Sequence, residues 1–242
     1  IQAIKEGRGS ARVLWFLQSL ILEGGDQLNL CSELKRVLPE EFEALRAKGL
    51  LGSFVTVGEA ITLIGRGYNT RALSGCNRRV IELLGSYVQR VEEAATRSFY
   101  QTNIGREVWS ALDWCLEERR PCFLQGREGR GKSASARAWF EAHRSQARYF
   151  SCSGLGAQRD HLYGLAHAYG VRHSGTKVPD AIVRSKIVEA IVHSGLVLII
   201  DEAHALLPDQ NSKASPRLID FIDRDLCNAG VAVALISTPQ FG

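Results

Sequence analysis

The sequence predicts an α/β fold, a parallel sheet with helices on both faces, preceded by a small all-helical domain. Three observations predict it. The first hundred residues carry helical patterning alone, whereas from Asn103 onward short apolar runs alternate with helical stretches. Those runs are almost continuously apolar, as strands covered on both faces are. At 242 residues the chain exceeds one average domain, and two domains can each bury a core. The division is placed at residues 1–98 and 99–242.

In the first domain, helices are expected at Ala11–Leu22, Cys31–Lys48, a short Val57–Ile64 segment, and Asn77 to about Arg97. In the last of these, Val80, Leu84, Val88 and Val91 recur at helical spacing, with Arg79, Arg90 and Glu92 between them, so one stripe should face the core. Gly24-Gly25-Asp26 and Gly49 break the series, and Gly65-Arg66-Gly67-Tyr68 reads as a loop. In the second domain the expected order begins with helix Ile104–Glu118, strand Pro121–Gln125, helix Lys132–His143 and strand Arg148–Cys152. It continues with helices Gln158–Tyr169 and Pro179–His193, strand Leu196–Asp201, helix Pro216–Asn228 and strand Val231–Ser237. Leu196–Ile200 is too uniformly apolar for an edge and should lie in the middle of the sheet.

Composition narrows the function classes. A hydrophobic fraction of 45% with 23% charged residues is that of a soluble globular chain, not a disordered or fibrous one. The apolar run at Leu196–Ile200 falls far short of the roughly 20 residues that span a bilayer, and nothing resembles a secretory signal. A cytoplasmic location with no membrane partner is therefore expected. Six cysteines (Cys31, Cys76, Cys115, Cys122, Cys152, Cys227) form no C-x-x-C pair and are read as reduced, mostly buried thiols. His161, His167, His173 and His193 lack metal or nucleophile spacing and read as surface or packing residues.

The chemistry is concentrated in three places. Gly126-Arg127-Glu128-Gly129-Arg130-Gly131-Lys132-Ser133 matches G-x-x-x-x-G-K-[ST], preceded by a strand and followed by a helix as the motif demands. Its glycines let backbone N–H groups turn inward around phosphates. Lys132 adds a mobile positive charge, Ser133 a hydroxyl for Mg²⁺, and the helix start its positive dipole end. The nucleotide-binding set is Gly126, Arg127, Glu128, Gly129, Arg130, Gly131, Lys132, Ser133 and Ala134. Next, the apolar strand delivers Asp201 to hold magnesium and Glu202 to activate water; two surface acids capping a strand are the plainer alternative. The Glu beside the Asp favours hydrolysis over transfer to a metabolite. Last, Leu235-Ile236-Ser237-Thr238-Pro239 ends a strand in hydroxyls, and Thr238 or Ser237 is placed to sense a γ-phosphate. Lys132, Glu202 and Thr238 are the expected catalytic residues, Ser133 and Asp201 the metal ligands, and ATP and Mg²⁺ the cofactors.

These three segments resemble Walker A, Walker B (Leu198-Ile199-Ile200-Asp201-Glu202-Ala203-His204) and sensor 1 (Ile236-Ser237-Thr238-Pro239-Gln240) of the AAA+ ATPases. Over roughly residues 75–242 the chain further resembles the DNA-transposition ATPases typified by phage Mu transposition protein B. This includes Asn77-Arg78-Arg79-Val80 and the stretch from Phe99-Tyr100-Gln101-Thr102 to Val108-Trp109. The resemblance implies a P-loop AAA+ core behind a helix-turn-helix-like domain. It also implies ATP-dependent homo-oligomers or filaments on duplex DNA of little sequence preference, and a transposase or similar protein as partner. It would set Phe99 to Asn103 near the adenine. AAA+ proteins continue into a fifth strand and a helical lid carrying sensor 2, so a longer protein is expected, with the lid outside this sequence. Arg217 and Arg224 are candidates for contacts to a neighbour, with solvent exposure the plainer reading.

The net charge of +4 does not by itself point to nucleic acid. Residues 1–98 hold 13 Lys and Arg against 11 Asp and Glu, so any DNA-binding face is local. Between Glu59 and Glu82 there are four arginines, Arg66, Arg71, Arg78 and Arg79, and no acid; they form either a phosphate-contacting patch or a solvated loop. Three rival functions stand beside ATP-controlled DNA binding: a STAND-type ATP switch, a AAA+ loader or remodeller acting on a protein partner, and a DNA-binding regulator with a purely structural nucleotide site. Glu202 argues against the last.

Overall fold

A computed structural model describes residues 11–20, 22, 30–48, 78–99, 102–152, 158–171, 178–192, 194–206 and 218–239. It divides into two compact units, Ile1–Arg97 with Arg144–Gln146, and Ser98–His143 with Ala147–Gly242.

The first unit contains α1 (residues 11–20), α2 (Leu30–Val37), α3 (Pro39–Ala47) and most of α4 (Arg78–Ser98). The expected single helix over Cys31–Lys48 is two helices, because Pro39 has no N–H to carry the ladder across and instead opens α3 at its first position. Val80, Leu84 and Val88 of α4 face inward as the spacing requires, joining Val13, Phe16, Leu17, Leu34, Leu38 and Phe42 in one apolar cluster, with Val91 packed at its margin. Phe16 meets Tyr87 edge to face, with centroids 5.9 Å apart. Glu92, which the pattern sets among outward residues, is buried, and its carboxylate is paired with Arg12 at 3.2 Å. The expected Val57–Ile64 helix and the loop carrying Arg66 and Arg71 lie outside the described residues.

The second unit runs α5 (Asn103–Glu118), β1 (Cys122–Gln125), α6 (Lys132–Ala142), β2 (Ala147–Ser151), α7 (Gln158–Ala168), α8 (Asp180–Val192), β3 (Val197–Asp201), α9 (Leu218–Phe221) and β4 (Val233–Ser237). Thr102 caps α5 by accepting from the Gly105 N–H at 3.0 Å. The four strands form one all-parallel sheet in the order β1-β4-β3-β2, so β3 is interior as expected, and all five of its residues are buried. Helix α5 packs on β1 and β4, and α6 and α7 pack on β2. Trp139 of α6 is fully buried and donates its indole N–H to Asp113 at 2.7 Å; Trp109 donates to the Ser135 carbonyl at 3.0 Å.

Two expected elements differ from what forms. The helix foreseen over Pro216–Asn228 is described from Leu218 and is α-helical only to Phe221. It widens over Ile222–Cys227 into turns closed five residues back, as in the Asn228 N–H to Asp223 carbonyl bond. Strand β4 begins at Val233 rather than Val231, because the Val231 N–H closes that widened helix on the Leu226 carbonyl at 3.0 Å and is lost to the sheet. A further 3₁₀ turn, Ala203–Leu206, follows β3.

Candidate nucleotide site

In a parallel sheet all carboxyl ends lie on one side, and the order β1-β4-β3 sets three of them next to each other. The glycine loop leaves β1, Thr238 leaves β4 and Asp201 closes β3. The register aligns Gln125 with Ser237, and the Gly126 N–H donates to the Ser237 carbonyl at 3.3 Å, fastening the loop to β4. A cavity of about 290 Å³ opens there, lined by residues Glu128 to Ala134, by Asp201 and Glu202, and by Ile236 to Thr238.

The loop has the backbone the motif needs. Gly129 and Gly131 have φ of 72° and 88°, a left-handed conformation open to glycine at little cost. Gly131 caps α6 with no side-chain bond, which leaves the orphan N–H groups of the first turn, in residues that line the cavity, without a side-chain cap. Lys132 folds back, its ammonium donating to the carbonyls of Gly126 at 2.6 Å and Arg127 at 3.0 Å. Gly126 and Arg127, expected to touch nucleotide, lie outside the lining residues and hold this lysine.

Asp201 is 4% exposed, and its carboxylate is held by three donors. Oδ1 accepts from the Ser133 hydroxyl at 3.0 Å and the Glu202 N–H at 2.9 Å; Oδ2 accepts from the Tyr149 phenol at 2.5 Å. Burial, and then the bond to Asp201, push the Tyr149 phenol above its ordinary value. Glu202 has φ of 54°, a strained backbone for a residue with a Cβ, and such outliers gather at functional sites. Its carboxylate lies 3.3 Å from His204 Nδ1, which is itself 3.5 Å from the Thr238 hydroxyl. Ser237 is buried and donates its hydroxyl to the Thr238 carbonyl, which leaves Thr238 as the hydroxyl linked toward Glu202.

Sequence reasoning missed Tyr149. No motif marks it, since its relation to Asp201 arises only when β2 pairs beside β3. Phe99 stacks on Trp109 at 5.2 Å and is outside the cavity lining, while Tyr100, Gln101, Arg217, His173 and His193 lie outside the described residues. Arg224 is exposed, as is His167, and His161 is buried. Among the described residues no cluster of histidine, cysteine and acid fit to hold a metal occurs, and no helix is long and apolar enough to cross a membrane.

The described cysteines Cys115, Cys122, Cys152 and Cys227 are free thiols. Cys152, whose N–H donates to the Asp201 carbonyl, has its thiol pushed from an ordinary 9.0 up to about 12, by burial first and then by the Asp201 and Glu202 carboxylates. A raised folded-state value means that the thiol's contribution to stability is complete below pH 9.0 and is lost as pH climbs toward about 12, because the unfolded thiol ionises first. Cys152→Ala should therefore lose less stability than the unchanged chain between pH 8 and 11, read as urea midpoints; parallel losses would refute this.

A family model described as AAA domain matches residues 116–241, just over half of the chain, and spans the glycine loop, Asp201-Glu202 and Thr238. No curated protein matches.

Proposed function

This chain belongs to the AAA domain family, with an α/β P-loop ATPase core, and from that premise we propose that it binds ATP with Mg²⁺, hydrolyses it to ADP and phosphate, and uses the cycle to control its assembly on DNA. The observation that carries the chemistry is the approach of Ser133 Oγ to Asp201 Oδ1 at 3.0 Å beneath an uncapped helix start. A hydroxyl and a carboxylate are the hard oxygen donors that Mg²⁺ takes, so the donor set fits the ion. Ser133 and Asp201 would hold Mg²⁺ there, and the ion would supply positive charge against the charge that develops in phosphoryl transfer. The N–H groups from Gly129 to Ala134 donate to the phosphate oxygens. Lys132 leaves its two carbonyls for the γ-phosphate, Glu202 takes the proton of the attacking water, and Thr238 holds the terminal phosphate's outer oxygen.

The cellular task we propose is target-DNA selection and transposase activation, in the cytoplasm, with ATP-bound copies polymerising on duplex DNA. Supporting this are the motif resemblance and the acid-free stretch from Arg66 to Arg79, of which Arg79 is exposed in the first turn of α4. Duplex binding measured across salt concentrations, with and without a nonhydrolysable ATP analogue, tests it. Nucleotide should strengthen binding, with a log–log slope of about 0.9 per phosphate neutralised, and filaments should be visible by electron microscopy. No duplex binding at low salt in either state, with a discrete protein complex instead, would favour a protein-directed switch or loader.

A further inference from the structure

We propose that Tyr149 is a positioning residue for the metal, acting through Asp201 and setting how much magnesium the site requires. This rests on the ATPase reading above and deepens it. The two oxygens of Asp201 are held differently. Oδ1 receives the Ser133 hydroxyl and the Glu202 N–H, both from residues that line the cavity, whereas among the described residues Oδ2 receives the Tyr149 phenol alone, at 2.5 Å from β2. The carboxyl torsion of aspartate is broad and roughly two-fold, so a carboxylate gripped at one oxygen alone could still swing. The phenol grips the other oxygen and turns Oδ1 toward Ser133.

Tyr149 is itself held. The Arg137 guanidinium lies 4.5 Å from the centre of its ring, and the Phe140 ring lies 5.9 Å away. A phenylalanine ring would keep both contacts. The ring packing does not need the hydroxyl, which also interacts with the Arg137 side chain and bonds a carboxylate that is 4% exposed. Without it, Oδ2 would be left buried and one donor short, and the plane of the carboxylate would be free to drift. Groups that orient a metal-binding carboxylate from behind typically change metal affinity about 10- to 100-fold when removed.

The test is Tyr149→Phe in the full chain. A fluorescent ATP analogue is titrated in EDTA and then across magnesium concentrations, alongside ATPase rates. The variant should bind nucleotide in EDTA as the unchanged chain does, while its half-saturating magnesium rises about tenfold in both binding and turnover. In an Asp201→Asn background the same substitution should change nothing further, since the hydroxyl acts through that carboxylate. An unchanged or lower magnesium requirement in Tyr149→Phe overturns this proposal alone, as does a further tenfold shift in the Asp201→Asn background. A wild-type chain that shows no magnesium dependence overturns the ATPase reading, and this proposal with it.

Discussion

Lys132→Ala should abolish measurable ATP binding. The ammonium is one of two cations among the cavity-lining residues, with the Arg130 guanidinium, and a charge-assisted bond of this kind is worth up to about 3 kcal/mol, more than a hundredfold in affinity. The substitution has a second cost, because Lys132 also holds the carbonyls of Gly126 and Arg127, and an alanine leaves the loop's entry without that clasp. Isothermal titration at micromolar protein reads the result. Equal, tight binding by the variant and the unchanged chain would sink the nucleotide assignment. A melting temperature close to wild type shows that the fold has survived.

Glu202→Gln should have the opposite signature: ATP still binds, and turnover stops. Glutamine keeps the length and volume of the side chain and accepts the same left-handed backbone, so the cavity keeps its shape. It loses the basic oxygen that would take the water's proton, and general-base catalysis of this type contributes about 10²- to 10⁴-fold. The expected result is an ATP dissociation constant within about twofold of wild type with kcat down by that factor, measured by calorimetry and single-turnover phosphate release. A variant that hydrolyses at the wild-type rate would remove Glu202 from the mechanism. Because the lysine variant fails in binding and the glutamate variant in turnover, the pair separates the two halves of the reading.

Much of this was readable along the chain. The glycine loop is local, since its shape depends on consecutive backbone torsions that Gly129 and Gly131 supply themselves. The interior place of β3 was visible in Val197 to Ile200, because only a strand covered on both faces and paired on both edges can be apolar at every position. Less was visible where one residue's hydrogen bonding depends on another element. The Val231 N–H is taken by the end of a widened helix, so β4 starts two residues late, whereas Pro39 splits its helix through its own missing N–H, a local signal against an apolar spacing that runs straight through it. Glu92 sits at a position the α4 pattern marks as outward, yet Arg12 of α1 makes its burial tolerable.

By itself the sequence determined which groups the site contains: a phosphate loop with its lysine and serine, an acid pair after an apolar strand, and a hydroxyl at the end of another. It could do so because each motif is contiguous and its chemistry belongs to neighbouring residues. What the tertiary structure decided is their adjacency. Strand β4, last of the described strands in sequence, lies between β1 and β3, which brings Thr238 beside the loop and, through His204, to within reach of Glu202. Strand β2 pairs on the far side of β3 and carries the Tyr149 hydroxyl to Asp201. Strand order is a matter of which apolar faces pack and which edges pair, and no local run of residues encodes it.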